Sequence, residues 1–267
     1  MRSLPSRAPQ TASGQVILLS LAMALAACNG AASSAADATS DQPPPPEQSA
    51  RDALEALSTT PEQDDQLLAL VGKFAIVLSK SGKARRAFTD ELLKSLMRGR
   101  VEAAVVDPVR TNFEDAIRDA TPEVLTLLNK LHEILTPEQR AKLVDSFAAR
   151  AEDAEAKRKA HNRQMIDALD IGLLQKISIA KAMRDKLGDL RPAFAKMKMD
   201  AQAAGKAFKE DTFDATELAI AKTDLGKLYL ESIVILVGVL APELEHEQRV
   251  KLAGIIKHRL TGGGRHH

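Results

Sequence analysis

Aromatic residues are scarce in this sequence, making up 3% of it with no Trp and a single Tyr. β-Sandwiches and barrels fill their pleated faces with aromatic and β-branched side chains, so an all-β fold is not expected. Cysteine is scarcer still. With Cys28 alone, no intramolecular disulfide can form, and stability has to come from packing. An excess of one charge is missing too: 37 Lys and Arg face 36 Asp and Glu, a balance that argues against nucleic acid as a partner. The sequence holds no GxSxG, no phosphate-cradling glycine loop and no HExxH or Cys-His cluster, and its carboxylates fall on polar helix faces. Neither catalysis nor a bound cofactor is expected.

What is present is apolar content and helix formers. Hydrophobic residues are 45% of 267, enough for one or two domains with real cores, and Ala, Leu, Lys and Glu dominate. The expected class is all-α, built from long antiparallel helices.

The N-terminus reads as an export signal. Arg2 and Arg7 precede the apolar run Val16 to Ala27, which is of signal-peptide length and too short to span a bilayer comfortably. The run ends in Leu25-Ala26-Ala27-Cys28, which resembles the lipobox of bacterial lipoproteins, where small residues precede a Cys that is acylated and becomes the new N-terminus. The resemblance implies a signal peptide over 1–27 and lipidation at Cys28, leaving no free thiol for catalysis. Asn29 stands where enteric lipoproteins retained in the inner membrane carry Asp, which points to the outer membrane. Residues 28–59 are small and polar, with four prolines from Pro43 to Pro46, and are expected to form a disordered tether stiffened by extended polyproline helix.

From Thr60 the pattern is helical. Thr60-Pro61-Glu62-Gln63 orders an N-cap, an N1 proline and a capping-box Gln, and Leu67, Leu68, Val71, Phe74 and Leu78 follow at helical spacing. Gly82 is expected to end this helix, and Asp107-Pro108 a second one covering Phe88 to Val106. Thr121-Pro122-Glu123 and Thr136-Pro137-Glu138-Gln139 are read as two further starts, the latter opening a long helix. Leu173 to Leu187 reads as amphipathic, Ala193 to Phe208 as the next helix, and Asp214 to Leu240 as one ending in the apolar run Ile233 to Val237, with a buried middle. Length and charge in that region exclude a membrane span. Residues 262–267 are expected to form a flexible tail.

Leu135-Thr136-Pro137-Glu138-Gln139-Arg140-Ala141-Lys142-Leu143 aligns without gaps on Leu244-Glu245-His246-Glu247-Gln248-Arg249-Val250-Lys251-Leu252. The shared Leu, Gln-Arg, Lys and Leu suggest an internal repeat, divided here as 60–159 and 160–261. The first motif resembles the LTxxQ motif of the Spy/CpxP family of periplasmic proteins, whose relatives include the metal-responsive ZraP and CnrX proteins. Leu135, Thr136, Gln139, Leu244 and Gln248 carry the likeness. It is best from about 160 to 260, with a more diverged copy before it; Glu245 replaces the Thr of the second motif. The resemblance implies a cradle of long helices, usually dimeric, that binds unfolded clients without ATP or serves envelope-stress signalling. Two copies in one chain suggest an internal pseudo-dimer, with an ordinary homodimer as the other option.

Client binding asks for cationic groups beside modest apolar patches. Lys157 to Lys209 is rich in basic residues, and Lys181, Met183, Arg184, Lys196, Met197, Lys198 and Met199 are the candidate contacts, since Met adapts to varied partners. The bland alternative is a solvated helix face over core methionines. For metals, His161 and Met165 are at i, i+4, and His132-Glu133 and His246-Glu247 are read as occupying equivalent places near the two motifs, where they would offer imidazole and carboxylate; solvated surface histidines are the better reading, so no metal ligand is assigned. The expected function is a lipid-anchored periplasmic holdase or stress accessory for unfolded envelope proteins. A metal-responsive sensor and a structural envelope lipoprotein are the alternatives.

Overall fold

The computed structural model describes residues 56–260 as eight α-helices and two short 3₁₀ turns, with no strand among the described residues. The all-α expectation holds. α1 (Pro61–Lys80) starts at the Thr60 capping box: Thr60 Oγ1 accepts the Gln63 N–H, Gln63 Oε1 accepts the Thr60 N–H, and Pro61 fills the first turn, where no N–H is needed. Its buried stripe is Leu67, Leu70, Phe74 and Val77. Ser81, not Gly82, ends it, and Gly82 already opens α2 (Gly82–Arg98).

The break expected at Asp107-Pro108 falls earlier, at Gly99. This residue adopts φ 77°, its N–H bonds the Leu96 carbonyl and the Arg100 N–H reaches that of Ser95, a Schellman cap. α3 (Ala103–Ile134) then runs for 32 residues through both Pro108 and Pro122, so Thr121-Pro122-Glu123 opens no new helix. An internal proline costs about 3 kcal/mol. Each buried Leu or Phe returns roughly 1.5–3 kcal/mol, and α3 is held along its length by Val106 and Phe113 in one core and Leu127, Leu128 and Leu131 in another.

α4 (Pro137–Ala168) is as long and starts from the Thr136–Gln139 capping box. α5 (Leu173–Leu187) and α6 (Arg191–Lys209) lie where the sequence places them. The helix expected from Asp214 begins only at Leu225. Asp214 Oδ1 accepts the N–H and hydroxyl of Thr216, and the Ala215 N–H goes to Asn129 Oδ1 on α3. These side-chain bonds compete with helix and fix the segment as 3₁₀ turns over Ala215–Glu217 and Ala219–Lys222. Asp224 then caps α7 (Leu225–Glu243), and α8 (His246–Leu260) follows. The run Ile233 to Val237 is not buried throughout: Val237 is inside, Leu236 is exposed, and Leu230 and Ala241 are the fully covered positions of α7. No helix among the described residues is long and apolar enough to cross a membrane.

Two cores organise these helices. One joins α1, the second half of α3 and the start of α4, and takes Phe208 and Ala215 from later in the chain. The other joins α2 and the first half of α3 to Leu169, Ile171, α7 and Leu252 of α8. Early and late helices therefore close one another: α4 packs on α6, and α8 on α2. Gly226 permits the close crossing of α7 over α3, since a Cβ there would lie 3.2 Å from Ile117 Cδ1.

Candidate functional site

The glutamines three residues into four of the helix starts form a paired scaffold. Gln63 and Gln139 exchange amide hydrogen bonds, each Nε2 donating to the other's Oε1 at 3.0 Å. Each Nε2 also donates to a carbonyl across the pair, Gln63 to Ile134 and Gln139 to Ser58, while each Oε1 accepts the N–H of its own N-cap. Both amides thus use their full hydrogen-bonding capacity. Leu135 and Leu244, the leading residues of the two motifs, are buried, and Thr136 supplies the hydroxyl cap.

The same pairing recurs between Gln175 and Gln248. Gln175 Nε2 reaches Gln248 Oε1 at 3.0 Å and the Glu243 carbonyl at 2.8 Å; Gln248 Nε2 returns to Gln175 Oε1 and to the Leu169 carbonyl. Ser58 and Asp170, just before the first helix of each pair, are the two non-glycine residues with positive φ among the described residues, 56° and 50°. The sequence had not marked Gln175. Its N-cap is Gly172, which offers no hydroxyl, so a search for Ser or Thr three residues before Gln passes over it; Gln175 Oε1 still accepts the Gly172 N–H.

Each motif's arginine is covered by the other part of the chain. Arg140, 5% exposed, sends Nη2 to Asp211 at the end of α6 and abuts His132, which lies flat on Phe213 and edge-on to Phe208. Arg249 donates to the Leu244 and Ala241 carbonyls, its guanidinium packed against Gly99 at the end of α2. Nε of both arginines has no hydrogen-bond partner among the described residues.

His132 is therefore not a solvated surface histidine. It is 6% exposed, with Nε2 at 2.9 Å from the Glu210 carbonyl oxygen, because aromatic rings from α6 and the segment after it close over α3. Nor is it the counterpart of His246, which is exposed in the first turn of α8; the arginine that meets His132 in one motif meets the Ala241 carbonyl in the other. No group of three or more His, Cys, Asp or Glu side chains placed to hold a metal occurs among the described residues. The side chain of His161, residues 28–55 of the expected tether with Cys28 among them, and the tail lie outside what is described; the last residues of that stretch are ordered instead, because Leu57 is buried in the first core and the Ser58 carbonyl accepts from Gln139.

The candidate client contacts gather on α5 and α6. α5 buries no residue fully; one face is half-buried against α7, with Ile179 packed on the second core, while the leading Leu173 and Leu174 stand in solvent. Lys181, Arg184, Lys196 and Met199 are exposed, while Met183, Met197 and Lys198 are half-buried; Met197 packs on the small cluster Ala201, Ala204 and Ile220. Lys196 pairs with Asp200 at 2.5 Å. Lys181, Arg184 and Arg191 enter no ion pair among the described residues, and Arg184 and Arg191 flank an open groove of about 450 Å³ whose walls include Met183, Leu187 and Phe194. The arrangement sets the half-buried side chains of Met183, Leu187 and Phe194 beside the guanidinium groups of Arg184 and Arg191. No family model matches the chain, and no curated protein or solved structure matches it either.

Proposed function

We propose that the chain is a lipid-anchored periplasmic protein of the Spy/CpxP type that holds unfolded polypeptides without ATP, using the α5–α6 groove and the cationic surface around it. The observation that carries this reading is the groove: half-buried Met183, Leu187 and Phe194 line it together with Arg184 and Arg191, whose side chains are exposed. Free cations attract an extended chain over distance, and pliable apolar groups hold it briefly. The two glutamine pairs, each tying two helix starts, support the resemblance to LTxxQ proteins. The reciprocal covering of Arg140 by the end of α6 and of Arg249 by the end of α2 supports two repeats packed as an internal pseudo-dimer. Anchoring through Cys28 and residence at the outer membrane rest on the lipobox and on Asn29.

The test is light scattering from an aggregating client protein, with and without this protein and without ATP. Suppression is expected at low salt and should weaken as salt rises. The pair Arg184→Glu and Arg191→Glu, both exposed, is expected to weaken it several-fold while leaving the thermal midpoint unchanged. No suppression at several-fold molar excess sinks the proposal.

A further inference from the structure

The first two turns of α5 present apolar side chains to solvent for no reason the fold supplies. Leu173 is 73% exposed, Leu174 83% and Ile177 58%. They lie N-terminal to the groove residues of the same helix. Leu173, Ile177, Ala180, Lys181 and Arg184 fall at i, i+4, i+7, i+8 and i+11, so one helix face begins aliphatic and ends cationic.

The molecule contains its own control. Counted from the paired glutamines Gln63 and Gln175, the positions of Leu173, Leu174 and Ile177 correspond on α1 to Pro61, Glu62 and Asp65. A helix start of this kind is thus built without exposed leucines. The charge differs in the same sense: residues 173–209 carry nine Lys and Arg against three Asp, whereas 61–97 carry six against five Asp and Glu. On α5 the one acidic residue is Asp185, and Lys176, Lys181, Arg184 and Lys186 enter no ion pair among the described residues.

We infer that this face of α5 docks on an anionic lipid bilayer. Aliphatic side chains flanked by Lys and Arg match the apolar-to-anionic boundary of such a surface, the aliphatic groups entering among acyl chains while the cations meet the headgroups. The area argues the same way. Three aliphatic side chains provide roughly 300 Å² of apolar surface. A stable protein interface takes about 800 Å² per partner. A weak surface contact is enough for a chain held at a membrane, and from Cys28 to Leu57 the backbone reaches at most about 100 Å. The inference goes beyond the client-binding reading and does not require it.

The chain has one cysteine, so the full chain carrying Cys28→Ser and Leu174→Cys takes a single environment-sensitive fluorophore at the stripe, and Cys28→Ser with Glu62→Cys takes it at the matching turn of α1. Because the apolar run Val16 to Ala27 can itself enter a bilayer, the readout has to be local. Vesicles rich in phosphatidylglycerol are expected to shift the emission at 174 to the blue with a several-fold rise in intensity, to leave 62 unchanged, and to lose the effect when Lys176→Glu and Lys181→Glu are added; neutral phosphatidylcholine vesicles are expected to leave the emission at 174 unshifted. An equal response at both sites, or none at 174, overturns the inference. A response at 174 to an unfolded acidic polypeptide but not to vesicles also overturns it and assigns the stripe to polypeptide, whereas failure of the scattering assay leaves the lipid response to be read by itself.

Discussion

Replacing Gln139 with Ala tests the glutamine pair as the joint that fixes the helix starts. The substitution removes two hydrogen bonds exchanged with Gln63 and one to the Ser58 carbonyl, along with the bond from the Thr136 N–H. The last is replaceable by water, since Thr136 is exposed. The first three sit beside a side chain that is 7% exposed, so a net value of about 1 kcal/mol each applies, and the stranded Gln63 amide adds part of a further 1–3 kcal/mol. A loss of roughly 3–4 kcal/mol is expected in urea unfolding followed by circular dichroism. Gln63→Ala alone should cost less, because Gln63 is half-exposed and its partners regain water more readily. The decisive quantity is the coupling: in the double variant, the two shared bonds should appear as an interaction of about 1–2 kcal/mol, while Gln139→Ala combined with Gln248→Ala should be additive. Additivity within the Gln63–Gln139 pair would refute the reasoning, because the bonds would then contribute nothing as a pair.

Gly99→Ala places a side chain at φ 77° with its Cβ 3.2 Å from the Arg249 guanidinium, and is expected to lower stability by about 1–2 kcal/mol. Gly72→Ala, in open space inside α1, should instead raise it by about 0.5–1 kcal/mol; the same urea titration reads both, and equal signs would count against the role given to Gly99. Asp214 has its carboxyl held below the usual range, first by the Thr216 N–H and then by the Thr216 hydroxyl and Asn129. Its stabilisation is therefore complete above the ordinary Asp value near 3.9 and fades as pH falls through the lower folded-state value. Thermal midpoints measured from pH 2 to 5 should fall less steeply for Asp214→Asn than for the unaltered protein, and parallel curves would remove Asp214 from the acid response.

Much of the helical layout was legible because its signals are local. Thr60 with Gln63 and Thr136 with Gln139 close their capping boxes within four residues, and α5 occupies the range its sequence pattern gave. Prolines misled the reading. Pro108 and Pro122 are helix breakers by backbone chemistry, yet α3 passes through both because two separate cores hold it. The stretch after Asp214 erred in the opposite direction, since its helical pattern gives way to bonds with Asn129, which lies 86 residues earlier than Ala215.

For the candidate site, composition alone marked the basic and methionine-bearing segment, and the alignment of the two motifs marked Gln139 with Arg140 and Gln248 with Arg249 as matched positions. Which glutamine faces which, and that His132 lies buried against Arg140 while Leu173 and Leu174 stand in solvent, followed only from tertiary packing. Capping chemistry and hydrophobic period are set by residues a few positions apart and are written in the chain. Burial is set by what the far end of the chain brings over a helix, and the local pattern of α5 was the same whether its leucines were to be covered or left bare.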